Sequence, residues 1–282
     1  MITRPVVAGT DGSEESLSAV EWAALEARRR QAPLRIVSAA AAAPPWVRAP
    51  HGPGLSARAA CARALSEAAT RTGEVAPGVV IDTDVLNGPP ALAVADSGTG
   101  AQLLVVGARG AGGFAAMLLG SVSRYVAMHA ACPVAVVHEE ISALHREIAV
   151  GVGHQDGTAA ALAFAFDEAQ RRHATLAAVH CWEPLTGGGP ERAGREQAAA
   201  AATGQALSET LDQWREKYPE VQVRQDVVRG HPGRVLALYA ARTDLVVIGR
   251  SAQGGTGPVI GAVQHSLLGH ARGPVVVVPS RG

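Results

Sequence analysis

The amino-acid sequence predicts an α/β chain of two tandem domains, each built on a doubly wound parallel sheet. Three observations carry this. Short apolar runs, such as residues 5–10, 34–38 and 103–106, alternate with alanine-rich amphipathic stretches. That alternation implies parallel strands joined by right-handed helical crossovers. The same order then recurs 142 residues further on: Gly9, Trp22, Gly88, Pro90 and Gly107 correspond to Gly151, Phe164, Gly230, Pro232 and Gly249. A repeat this long is a domain duplication, since solenoid units run to roughly 20–50 residues. Finally, 282 residues are comfortable for two domains.

Taken in order, residues 5–10 read as the first strand. Asp11-Gly12-Ser13 is a turn and cap, because Asp or Ser suits an N-cap, and a helix follows to about residue 30. Residues 34–38 are a second strand. Residues 40–54 are a loop rich in Ala, Pro and Gly, expected to be mobile at its tip. Residues 55–70 form a second helix and residues 79–86 a third strand with one partly exposed face. Asn87-Gly88-Pro89-Pro90 turns into a third helix, with proline allowed in its first turn. Residues 103–106 are a continuous apolar run, as in a strand buried on both faces. A glycine-rich loop follows, then a helix from Gly120-Ser121 through Ala130, then a fifth strand at residues 133–137. Beyond the loop the offset falls to 141, so that Gly120 maps onto Gly261 and Pro133 onto Pro274. The second loop is therefore one residue shorter. The domains span residues 1–140 and 146–282, joined by a short polar seam near residues 139–146.

Composition narrows the function classes. Hydrophobic content is 48% and aromatics are 4%, so the core is built from Ala, Val, Leu and Ile. With 25 basic and 25 acidic residues and no basic tract, nucleic acid is not expected as a partner. No segment reaches the roughly 18 apolar residues of a membrane helix, and because residues 5–10 already read as a strand, no signal peptide is expected. Cys61, Cys132 and Cys181 are scattered, which fits buried thiols in a reducing, cytoplasmic setting. The histidines show no paired metal-ligand spacing, and no metal site is expected. His51-Gly52-Pro53-Gly54 looks superficially like a nucleotidyl-transfer motif but stands before the second helix instead of after the first strand, and is rejected.

The loop carries the chemistry. Val106-Gly107-Ala108-Arg109-Gly110 ends a buried strand, and Gly120-Ser121-Val122-Ser123 opens a helix. Glycines leave backbone amides open to close approach, and a helix start adds free N–H groups and the positive end of a dipole. Together these read as a phosphate-binding site. No lysine follows the glycines, so it is not a P-loop, and a dinucleotide fingerprint would follow the first strand.

The Gly-x-x-Gly, nine residues, Gly-Ser spacing resembles the nucleotide-binding signature of the universal stress protein family. The Val-Ala-Gly-Thr-Asp-Gly-Ser start, the Gly-x-Pro turn and Cys-Pro-Val-Ala-Val-Val resemble it too. The resemblance covers nearly the whole chain, as a tandem member. It implies a five-stranded, Rossmann-like sheet in order 3-2-1-4-5, with ATP at the carboxyl ends of the strands, the expected switch point between strands 1 and 4. It also implies roles for residues. Asp11, preceded by Thr10, meets the adenosine end, unless it only caps the helix. Ala39 meets adenine through its backbone. Val106, Gly107, Arg109 and Gly110 line the triphosphate path, where Arg109 clamps a phosphate or is merely solvated. Gly120, Ser121, Val122 and Ser123 offer amides and hydroxyls, although Ser121 is equally suited to a plain N-cap.

The second copy departs where it matters. Gly153 replaces Asp11, with Asp156 nearby; Ala252 replaces Gly110; Ala262 and Gln264 replace Ser121 and Ser123. Gly254, Gly255 and Gly257 keep the loop glycine-rich. ATP, with or without magnesium, is therefore expected in the first domain alone. The leading reading is a cytoplasmic ATP-binding regulatory protein of the stress response with an unknown protein partner. The other readings are a nucleotide-free interaction scaffold and an adenylyl-transferring enzyme, the latter weakened by the missing His-x-Gly-His. No general base marks efficient turnover; slow hydrolysis or autophosphorylation stays open. The matching apolar runs at residues 133–137 and 274–278 are expected to be edge strands that join the halves as an intramolecular pseudo-dimer, leaving a further homodimer open.

Overall fold

The computed structural model describes residues 3–40, 53–110, 119–138, 145–153, 157–182, 192–250 and 261–280. The chain divides into two units, Met1–Glu140 and Ile141–Gly282. The first has strands β1 (Val6–Gly9), β2 (Leu34–Ala40), β3 (Ile81–Asn87), β4 (Leu103–Gly107) and β5 (Val134–Val137). Its helices are α1 (Glu14–Arg29), α2 (Pro53–Val75), α3 (Pro90–Ser97) and α4 (Ser121–His129). Its strands run parallel in the order β3-β2-β1-β4-β5. Every residue of β1, β4 and β5 is buried, as continuous apolar runs require of strands covered on both faces. Helices α1 and α2 pack together, and so do α3 and α4. Right-handed crossovers place the first pair on one face of the sheet and the second on the other.

The start of α1 is set by Ser13, whose Oγ accepts from the Ser16 amide. Glu14 and Glu15 in the first turn and Arg28 and Arg29 in the last complement the helix dipole. Asp11, expected as a possible cap, stands one step back: its Oδ1 accepts from both the amide (3.1 Å) and the hydroxyl (2.6 Å) of Ser13. It therefore braces the cap without being the cap.

Two elements run longer than the sequence pattern indicates. Strand β2 continues to Ala40, paired with β3 through Asn87; the alanine run there has no period to mark its end. Helix α2 reaches Val75. Its extra turn is held by Arg71, which bonds Glu14 of α1 at 2.7 Å and Glu67 at 3.0 Å, and by Thr72, fully buried. Strand β3 departs in the other direction: none of its residues is buried. The loop at residues 41–52 and the seam at residues 139–144 lie outside the described residues.

The second unit repeats the plan. Its strands are β6 (Glu147–Gly151), β7 (Thr175–Trp182), β8 (Val223–Arg229), β9 (Leu245–Gly249) and β10 (Val275–Val278). Its helices are α5 (Thr158–Arg172), α6 (Arg192–Lys217), α7 (Pro232–Ala240) and α8 (Ala262–His270). The order is β8-β7-β6-β9-β10, all parallel. Strand β8 lies 142 residues beyond β3, and α8 lies 141 beyond α4, so the missing residue falls between β9 and α8. Even the buried ion pairs repeat. Glu26 meets Arg29 and Arg30 near the end of α1, and Glu168 meets Arg171 and Arg172 near the end of α5. The cores differ: α5 and α6 pack through stacked Phe166, Trp214 and Tyr218, with the ammonium of Lys217 over the rings of Trp214 and Tyr218.

Candidate nucleotide site in the first domain

A cavity of about 400 Å³ opens at the carboxyl ends of β1, β2 and β4. Neighbouring crossovers leave β1 on opposite faces at this point, which opens a crevice. All the candidate residues named from the sequence line it: Thr10, Asp11, Ala39, Val106, Gly107, Arg109, Gly110, Gly120, Ser121, Val122 and Ser123. The sequence pattern missed Ser16, Ser38, Ala60, Cys61 and Val94, which also line it. A single serine in a strand or a single cysteine in a helix has no local signature; only the register and packing bring them here.

The β4 side is made of backbone. Gly120 is the N-cap of α4, with no side-chain cap bond, and its own amide donates to the Ala108 carbonyl at 2.8 Å. The next three amides, of Ser121, Val122 and Ser123, have no acceptor within the helix, as at any helix start. These residues line the cavity, where the positive end of the helix dipole lies. Ser121, a candidate cap, lies inside the helix as its first residue and is exposed. The Ser123 hydroxyl donates to the Gly107 carbonyl, tying α4 to the end of β4. Arg109, in the stretch that leaves β4, lines the same side.

Glycine is required here for more than ligand approach. A methyl at Gly107 would stand 2.9 Å from the Glu15 carbonyl, so α1 packs on the bare backbone of β4. A methyl at Gly110 would collide with Oδ2 of Asp11, which brings the loop onto that carboxylate. At Gly120 the space is freer, with the nearest atom 3.3 Å away.

The β1 and β2 sides are different. Thr10 and Ser16 share a hydrogen bond of 2.9 Å at the floor. Ala39, Ala60, Cys61, Pro90 and Val94 give an otherwise largely apolar wall. The cavity is thus bipolar: amides and a cation on one side, carbon and sulfur on the other, with the Asp11 carboxylate at the end of β1 between them.

In the second unit the equivalent positions carry larger or different side chains. Larger Leu236 and Ile248 stand where the first has Val94 and Val106, and a methyl at Gly151 would meet them at 2.9 and 3.3 Å. Gln264 replaces Ser123, and its Nε2 donates to the Gly249 carbonyl at 3.2 Å. Its amide crowds Gly261 at the helix start. Gly157 is the N-cap of α5, with no side-chain cap bond, and Gly153, in place of Asp11, has no carboxylate to offer. The loop at residues 251–260 lies outside the described residues.

This architecture, a doubly wound parallel sheet in strand order 3-2-1-4-5, is a Rossmann-like α/β fold, present here twice. A model of the universal stress protein family matches residues 3–138 and again 145–279. The chain belongs to the universal stress protein family. A universal stress protein of Mycolicibacterium smegmatis is 34% identical over 290 residues, covering 98% of this chain and 97% of its own. The crystal structure of a universal stress protein from Archaeoglobus fulgidus shares the fold, with a TM-score of 0.75 at 17% identity, over 98% of this chain and 96% of that one. A universal stress protein solved in complex with cAMP is 33% identical; it covers 50% of this chain and 100% of its own, with a TM-score of 0.39.

Proposed function

We propose that the first domain binds an adenine nucleotide, ATP foremost, as the regulatory ligand of a cytoplasmic stress-response protein, and that the second domain binds none. The observation that carries this reading is the bipolar cavity. A nucleotide has the same two halves: phosphates that suit amides, a helix start and an arginine, and a flat base that suits an apolar wall. Asp11 lies between, where a carboxylate accepts hydrogen bonds from ribose hydroxyls.

Binding is proposed, and turnover is not. Asp11 is the only carboxylate among the described residues lining the cavity, and its Oδ1 already holds Ser13. A nucleotide-free scaffold is the second reading. The packing of Gly107 against α1 favours it, because that glycine is required whether or not a phosphate binds. Two measurements separate the readings. Mass spectrometry of freshly purified, denatured protein should release an adenine nucleotide. Calorimetry on stripped protein should give one ATP per chain. No released nucleotide and no heat would leave the scaffold.

A further inference from the structure

Resting on the nucleotide reading above, we propose that the Ser38 hydroxyl is a specificity-determining contact for the heteroaromatic base. The register of the sheet pairs Ala8 with Ile36 and Gly9 with Val37. A methyl at Gly9 would meet Val94 of α3 at 3.1 Å, so Val37 and Ala39 take the α3 face. Alternation then sends Ser38 to the face covered by α1 and α2. There it lines the cavity with Ser16 and Cys61.

Ser38 is 2% exposed. The other hydroxyls at the cavity are engaged or wet: Thr10 and Ser16 bond each other, Ser123 bonds the Gly107 carbonyl, and Ser121 is exposed. The Ser38 hydroxyl makes no hydrogen bond to any described residue. Its oxygen is not among the buried polar atoms closed off without a partner, so the hydroxyl opens into the cavity. Here it faces a cavity whose neighbouring wall is Ala60 and Cys61 of α2. An incoming polar edge supplies the missing partner. Strand β2 lies across β1 from the α4 amides, so the phosphates occupy the far side and the base meets Ser38. A hydroxyl both donates and accepts, which fits adenine, whose amine donates and whose ring nitrogens accept. The equivalent position in the second domain is His180, a larger ring.

The test is ATP affinity of Ser38→Ala by calorimetry, with the melting temperature of the unliganded protein measured alongside. Affinity about fivefold weaker, at unchanged melting temperature, is the expected result, a typical loss for one neutral hydrogen bond. Unchanged affinity overturns the inference and leaves ATP binding standing. If affinity and melting temperature fall together, Ser38→Thr decides: recovered affinity supports the contact, and no recovery overturns it. Wild-type protein that binds no ATP overturns the proposed function itself, and this inference with it.

Discussion

Between β1, β4 and α3 the first domain places Val94 and Val106; between β6, β9 and α7 the second places Leu236 and Ile248. The backbones follow one plan, strand for strand: a methyl at Gly9 would meet Val94 and Val106 at 3.1 and 3.5 Å, and one at Gly151 would meet Leu236 and Ile248 at 2.9 and 3.3 Å, so the larger side chains of the second domain bring carbon slightly closer to the strand end. The helices agree. A methyl at Gly233 of α7 would lie 2.6 Å from Cβ of Ser266 on α8, so these helices approach more closely than alanine permits. The first domain has Ala91 at that position. The bond between Ser123 and Gly107 persists as one between Gln264 and Gly249. The helix start keeps its tether while the tether itself takes up the space. Duplication has thus retained the tie that builds the domain and altered the atoms that a ligand would meet.

The largest expected effects come from the glycines that both copies need for packing. Gly249→Ala drives a methyl into the Gly157 backbone. It should destabilise the second domain by roughly 3 kcal/mol or more, at or above the upper end for overpacking. Gly107→Ala should cost the first domain somewhat less, since its closest contact is 2.9 Å. Urea unfolding followed by tryptophan fluorescence would compare them. Equal and negligible losses would break the claim that both strands end against bare helix backbone.

Next come changes that turn one site into the other. Gly120 has φ −67°, an ordinary conformation for any residue, so Gly120→Val should fold. Its branched side chain should still keep phosphate from the amides, weakening ATP by about 2 kcal/mol, or some thirtyfold. Ser123→Gln should act in the same direction, with the tether to Gly107 preserved. ATP titrations beside melting curves check both. Folded variants that bind as wild type would remove the phosphate site from the argument. A smaller effect is expected of Asp11. Asp11→Ala should lose about 1 kcal/mol of affinity and some helix capping, while Asp11→Asn, which keeps an acceptor for Ser13, should lose affinity with little change in stability.

The mildest prediction concerns Cys181, where the first domain has Ala39. Burial pushes this thiol from its ordinary value of 9.0 up to about 11. Because the folded value is the higher one, its contribution to stability is present below pH 9 and is lost as the pH rises toward 11. Alkylation by iodoacetamide should be slow at neutral pH and climb through that window. Rapid labelling of Cys181 at pH 7 would contradict the burial.

Apolar runs and turn residues were enough to reveal the strands, the duplication and the shortened loop, because buried parallel strands need unbroken hydrophobic segments and a lost residue shifts every later match. Other features have no local signal. The alanines after Ser38 read equally well as strand or loop, so only pairing with β3 shows where β2 ends. Asp11, Ser13 and Ser16 all suit a helix start, and the hydrogen bonds alone divide their roles. The exchange of Ser123 for Gln264 reads as a lost hydroxyl, whereas the geometry shows a replaced donor. Ser38 could not be singled out, since the face a strand residue takes depends on its neighbours' register.

The stacked ring cluster of α5 and α6 has a practical consequence. Lys217 is the chain's only lysine, and its ammonium lies 5.6 Å from the ring centroid of Trp214. Amine-directed reagents therefore have a single side-chain target, and it is attached to the second domain. A dye coupled there is attached to the domain that contributes none of the residues lining the cavity. Trp214 beside it can serve as the donor that excites such a dye.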